Sequence, residues 1–242
     1  MQNPNLSSYS MDQTQVQVRV SAFVRSVYTW MAIGLALTGF VAYAVAENNA
    51  LTAIAQKGFF LFAIVELGLV FFLSARIGKI QAGTATTLFM LYAFLNGITM
   101  FAIFRIYTHT LIASTFFTCA LMFGALSIYG WSTKRDLTGM GSFMFMGLIG
   151  ILIATVINFF VQSSGMQMII SYIGVLVFAG LTAYDSQTIK QMALSQPAAV
   201  VHKGAIIGAL KLYLDFILMF QFLLTILSSA RLKLVVIIVN PC

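Results

Sequence analysis

The sequence predicts an all-α polytopic membrane protein with seven transmembrane helices. Three observations carry that prediction. Hydrophobic residues make up 60% of the chain and its mean hydropathy is +0.97. Charged residues make up only 8%, and the apolar residues gather in seven runs, each about as long as a bilayer is thick. A soluble domain carries about 25% charged residues because its surface faces water. Six acidic and thirteen basic side chains cannot solvate a globule of 242 residues, yet they suffice for the loops of a helical bundle.

Bilayer hydrocarbon is about 30 Å thick and needs roughly 20 apolar residues per helix. The runs that meet this length are 27–46, 58–75, 84–104, 110–130, 141–161, 167–190 and 204–228. Each is expected to be helical, because a lipid-facing backbone must satisfy its own hydrogen bonds. Residues 1–20 form a polar amino-terminal segment (QNPNLSSYSMDQTQ) without an apolar stretch and small-residue cleavage site, so no cleavable signal peptide is expected. Residues 21–230 make one transmembrane domain and residues 231–242 a carboxyl-terminal tail. The longest gap, Ser186 to Lys203, leaves no room for a second domain, and part of it is expected to extend the sixth helix.

Orientation follows from the basic residues on alternate sides. Eight Lys and Arg, among them Arg19, Arg76, Lys134 and Lys190, fall on one side. Four (Lys57, Arg105, Arg231 and Lys233) fall on the other. The positive-inside rule places the amino terminus in the cytoplasm and, with seven spans, the carboxyl terminus outside. Six spans and a re-entrant seventh segment form the alternative topology. Glycines such as Gly34, Gly141, Gly174 and Gly180 predict close packing through small-residue faces. The 22 Phe and 13 Met read as lipid-facing surface and bundle filling.

The net charge of +7 lies in loops between apolar runs. It therefore reads as topology and contact with anionic headgroups, and the partner it implies is the bilayer rather than nucleic acid. Cys119 and Cys242 have no obvious partner, so no disulfide framework is indicated. His109 and His202 lack metal-ligand spacing, and no cofactor is expected.

An ionisable group inside a span costs about 2.5–3.5 kcal/mol on insertion scales, so each needs a reason. Four stand out: Glu66 in the second span, Asp185 in the sixth, and Lys211 and Asp215 in the seventh. If the sixth and seventh helices meet one interface near residues 192 and 204, Asp185 lies roughly 10 Å deep and Asp215 roughly 16 Å. Two carboxylates at similar depth on consecutive helices cannot both ionise cheaply, so they are expected to share a proton or a cation. Arg76 ends the second span on the same side and can reach towards Asp185, while Glu66 lies about 15 Å further in. Lys211 precedes Asp215 by four residues and shares its helix face.

Plainer readings stay open at this point. Asp185 can mark the interfacial end of its span, with Tyr184 as an aromatic-belt neighbour. Lys211 can snorkel to the interface or form a structural ion pair with Asp215. Glu66 can sit protonated and hydrogen-bonded in the core. Asp215 is the hardest to explain away, because the apolar run FILMFQFLL follows it directly.

Two chemistries fail on the residues. An intramembrane aspartyl protease matches at Tyr184-Asp185, but Leu212-Tyr213-Leu214-Asp215 lacks the glycines that admit a substrate backbone, and no Pro-Ala-Leu segment follows. A retinal protein would use Lys211, but the third span offers no counter-ion carboxylate. No enzymatic activity is expected. What remains is an ion pathway, and hard cations such as Ca²⁺ prefer carboxylate oxygens.

Several stretches resemble the Bax inhibitor-1 family, also called the transmembrane Bax inhibitor motif family. They are Gly-Leu-Thr-Ala-Tyr-Asp-Ser-Gln (180–187), Ala-Leu-Lys-Leu-Tyr-Leu-Asp-Phe-Ile (209–217), Val-Tyr-Thr-Trp-Met (27–31), Leu-Phe-Met-Leu-Tyr (88–92) and Tyr-Gly-Trp-Ser-Thr-Lys-Arg-Asp-Leu (129–137). The resemblance runs from about residue 20 to 228 and is closest to the bacterial branch. It implies a seven-helix fold with the last helix central. It also implies a pH-sensitive calcium leak with Asp185 and Asp215 as the paired proton sensor and cation site. By the same resemblance Arg76 is the latch to that pair and Glu66 a pore-lining residue. Two departures stand out: Leu218 where members often have Asn, and the apolar tail Leu232–Val239 where members commonly end in a short basic one.

The sequence therefore predicts a passive, proton-regulated cation leak of the bacterial inner membrane, with Ca²⁺ as the permeant ion and Lys211 as a possible modulator. Two rival classes carry forward. One is a non-conducting regulator that binds another membrane protein, such as a protease or stress factor. The other is a proton-coupled cation exchanger, which would accumulate its ion uphill.

Overall fold

The computed structural model describes the backbone of residues 4–76, 80–195 and 201–239, and the side chains of residues 16–73, 80–195 and 204–231. Eight helices follow one another: α1 (Pro4–Glu47), α2 (Asn49–Arg76), α3 (Ala82–Thr99), α4 (Phe101–Ile106), α5 (His109–Ser132), α6 (Thr138–Val161), α7 (Ser164–Ser195) and α8 (Val201–Val239). No strand occurs among the described residues. Seven segments are long and apolar enough to cross a membrane, with α3 and α4 together making one of them, Ala82–Ile106. The predicted all-α, seven-span architecture is what the structure shows.

The boundaries differ from those predicted in ways that follow from local chemistry. The polar segment 4–20 is helical and continuous with the first span, since residues such as Gln, Ser and Val can extend a helix whose apolar continuation already anchors it. The second span starts at Asn49 rather than near residue 58. Asn48 accounts for the early start, because its Oδ1 accepts the amides of Ala50 and Leu51 at 2.9 and 3.2 Å and so caps the helix. The third span breaks at Met100, whose φ of −81° and ψ of 0° interrupt the ladder before α4 resumes. The tail does not leave the seventh helix, because the backbone of α8 stays helical to Val239.

α8 packs against α1, α3, α5 and α7, and half of its apolar window is buried. α2 and α6 lie outermost, with 6% and 11% of their windows buried. Their exposed side chains, Phe60, Phe71, Phe145 and Phe160 among them, are the lipid-facing surface that the phenylalanine content predicts.

Glycines bring the inner helices together. A Cβ on Gly34 would meet the Phe89 ring at 2.6 Å, and one on Gly174 would meet the Phe222 ring at 2.5 Å. Gly130 sits directly against the Ala183 carbonyl oxygen, where the obstacle is backbone and cannot turn aside. These contacts place α5 and α8 against α7, on either side of the segment that carries Asp185.

Candidate functional site

The register of α7 on α8 positions the two aspartates. Ile189 packs on Gly208 and Gly174 on Phe222, as antiparallel helices require. Asp185 therefore lies level with residue 212, and Asp215 sits three residues deeper, about 4.5 Å along the axis. Both are buried, Asp185 at 8% and Asp215 at 4% relative exposure. Asp185 is packed among neighbouring helices, and α7 continues past it to Ser195.

Lys211 Nζ lies 2.8 Å from Asp185 Oδ1, an ion pair between helices. The i, i+4 spacing offers Asp215 as the partner, but the side chain crosses to α7 instead. Helical side chains lean towards the amino terminus of their own helix, which carries the Lys211 ammonium away from Asp215, and Asp185, level with residue 212 on α7, lies within its reach. The same ammonium lies 6.0 Å from the centroid of the Tyr184 ring. Asp215 stays within electrostatic reach of Asp185 and Lys211, yet its Oδ2 is buried and meets no hydrogen-bond donor among the described residues. One acid of the pair is compensated and the other is not.

The loop between α5 and α6 is fastened beside this site. Gln187 Nε2 donates to the Arg135 carbonyl at 2.8 Å, and Gln187 Oε1 accepts the Leu137 amide at 2.9 Å. Lys190 Nζ donates to the Trp131 carbonyl at 2.7 Å. Asp136 Oδ1 closes a turn just before α6 by accepting the amide of Thr138 at 2.9 Å and its hydroxyl at 2.6 Å, and these bonds hold the Asp136 carboxyl below its usual range. Along the same seam Ser127 Oγ, Trp131 Nε1 and Ser186 Oγ are buried without partners among the described residues.

A second polar cluster lies elsewhere on α8. The Tyr213 hydroxyl is 2.6 Å from Thr38 Oγ1, which in turn reaches the Ala93 carbonyl at 2.8 Å. A carbonyl only accepts, so Thr38 gives its hydrogen there and Tyr213 donates to Thr38. The Tyr92 ring meets the Tyr213 ring edge-on at 5.8 Å. Asn96 Nδ2 lies 3.4 Å from both the Tyr92 hydroxyl and Glu66 Oε2, and Thr99 Oγ1 lies 3.0 Å from Glu66 Oε1. Glu66 is thus half-buried and hydrogen-bonded to neutral side chains of α3, apart from the aspartates.

Of the residues singled out in the sequence, the structure brings Asp185, Asp215 and Lys211 into one site and places Glu66 in another. The side chains of Arg76 and His202 lie outside those described. Among the described residues no group of three or more His, Cys, Asp or Glu is placed to hold a metal ion. Sequence reasoning missed the Lys211–Asp185 pair, the Gln187 clamp and the Tyr213–Thr38 bond. A signal for the first existed: with the interface near residues 192 and 204, Lys211 and Asp185 both fall about 10 Å deep.

Comparison with known proteins places this arrangement in a family. Residues 20–231 match the family described as "Inhibitor of apoptosis-promoting Bax1". Inner membrane protein YbhL of Escherichia coli K12 is 45% identical over 223 residues, covering 90% of this chain and 95% of YbhL. An uncharacterized protein of Borreliella burgdorferi is 41% identical over 229 residues, covering 91% of this chain and 99% of the relative. An uncharacterized membrane protein of Streptococcus pyogenes serotype M3, SpyM3_0260, is 37% identical over 218 residues, covering 88% and 95% of the two chains. The match spans every transmembrane helix and both aspartates, so the chain belongs to the Bax inhibitor-1 family of membrane proteins.

Proposed function

We propose that this protein is a pH-sensitive cation leak of the bacterial inner membrane, passive rather than enzymatic, with Ca²⁺ as its permeant ion. The name of its relative YbhL supports that membrane, and the distribution of Lys and Arg supports an amino terminus in the cytoplasm. The observation that carries the functional reading is the buried Asp215 Oδ2, without a donor among the described residues, next to the Asp185–Lys211 ion pair. An unpaired carboxylate in a low-dielectric interior is costly, and the cost is removed by a proton or a cation.

Among the described residues Asp185 and Lys211 act electrostatically on Asp215, and Tyr184 acts on Lys211. With both acids ionised, two carboxylates face one ammonium, and the remaining negative charge attracts a further cation. Arg76, ending α2 on the same side, supplies that cation in the closed state. Protonation of the pair releases Arg76 and biases the bundle towards opening. Ca²⁺, whose natural ligands are oxygens, then crosses along the carboxylates, with Glu66 as a further pore-lining group.

Reconstitution in liposomes tests the proposal. Ca²⁺ flux should be greater at about pH 6 than at about pH 8, and Asp215→Asn should flatten that response. Unchanged flux and pH response in Asp215→Asn would remove the pair from gating. Accumulation of Ca²⁺ against its gradient, driven by a proton gradient, would make the protein an exchanger. Absence of flux together with a defined co-purifying membrane protein would make it a regulator.

A further inference from the structure

The acid pair is served by a cation that belongs to the chain itself. We infer that the Lys211 ammonium is a tethered competitor: it occupies Asp185, and a permeant or regulatory divalent cation must displace it to engage both carboxylates. This rests on the proposed cation pathway for its physiological meaning, but its geometry stands apart from it.

Three observations carry the inference. The first is the contact. Lys211 Nζ lies 2.8 Å from Asp185 Oδ1, a full charge-assisted bond where a divalent cation would also bind. The second is a difference in exposure. The Lys211 side chain is 38% exposed whereas that of Asp185 is 11% exposed. The long lysine stem can swing its head away towards the interface, while the aspartate cannot follow. The third is the incomplete neutralisation. Asp215 Oδ2 has no donor among the described residues, so one ammonium serves two carboxylates and leaves one negative charge of the pair unbalanced.

Lysine suits such a role better than arginine. Its ammonium is a compact point charge on a flexible stem, and it holds one oxygen without the bidentate grip of a guanidinium. A divalent cation brings twice the charge to the same two carboxylates, so displacement is favoured when its concentration rises. Lys211 then sets the concentration at which the site fills, and it does so without touching the ion.

Calcium binding to the purified full-length protein in detergent reads this directly, with CaCl₂ as the probe and titration calorimetry as the readout. Lys211→Met should bind Ca²⁺ about tenfold more tightly than the parent, because a charge-assisted competitor is gone. Lys211→Gln, which keeps a hydrogen-bond donor for Asp185 and so protects folding, should show the same direction of change. Lys211→Arg should bind no more tightly than the parent. Adding Asp185→Asn to Lys211→Gln should abolish the gain. Lys211→Gln eluting as the parent does, with parental helical content and parental Ca²⁺ affinity, would overturn the inference. Liposome flux separates the two claims. Tighter binding without flux in any variant would sink the leak and leave the tether, whereas flux with unaltered affinity would sink the tether and leave the leak.

Discussion

Asp215 and Glu66 are both acids set deep in the membrane, yet their surroundings differ. Glu66 is half-buried, on the outermost helix α2, and accepts from neutral side chains of α3: Thr99 at 3.0 Å and Asn96 at 3.4 Å. Asp215 is buried on α8, which packs against four other helices, and its Oδ2 has no donor among the described residues. The first acid has local hydrogen-bonding partners. The second depends on charge, because its nearest compensation is an ammonium already committed to Asp185. The difference separates an acid with local hydrogen-bond donors from one that, among the described residues, is balanced by charge alone.

The largest effect is expected where an existing charge pair is broken. Lys211→Met should lower stability in detergent by about 2–4 kcal/mol, since it strands a buried carboxylate. Asp185→Asn should cost about half as much, because the more exposed Lys211 head can move to water. Equal losses in chemical unfolding would mean that the pair is not anchored by its aspartate. Next in size, Tyr213→Phe should cost about 1–2 kcal/mol by removing the 2.6 Å bond to Thr38 in a fully buried place. Thr38 keeps its bond to the Ala93 carbonyl, and a loss much above that range would show that the tyrosine hydroxyl supports more than this one contact.

Glu66→Gln should change stability by less than about 1 kcal/mol, since an amide can still accept from Thr99. A large loss would erase the contrast between the two acids. The smallest effect concerns Asp136, outside the spans. Its folded carboxyl titrates below the ordinary value because of the two bonds to Thr138. A group depressed in this way contributes stability above its unfolded pKa of about 3.9 and loses that contribution as pH falls through the lower folded value. Trp131 emission should therefore be flat from about pH 7 to about pH 5 and change only below about pH 4. Asp136→Asn should remove that acid transition, and a transition that persists in the variant would assign it to another group.

Much of the fold was legible because lipid imposes a simple rule: a spanning backbone must be helical and its outward side chains apolar. The seven runs, the lipid-facing phenylalanines and the packing glycines Gly34 and Gly174 all follow from it. The helix starts were less legible. The capping of α2 by Asn48 and the break at Met100 depend on single-residue geometry that composition does not register. Asp185 and Asp215 were legible as anomalies, since a charge in an apolar run needs an explanation.

By itself the sequence determined which residues lie in lipid, which helices they form and which side chains are too polar for their setting, because each of these is a local property of composition and period. Only the tertiary structure decided who meets whom. Lys211 sits one turn from Asp215 along its own helix, yet it binds Asp185 on the neighbouring one. The choice was made by the register of α7 on α8, which close contacts such as Gly174 with Phe222 set and which no single helix contains.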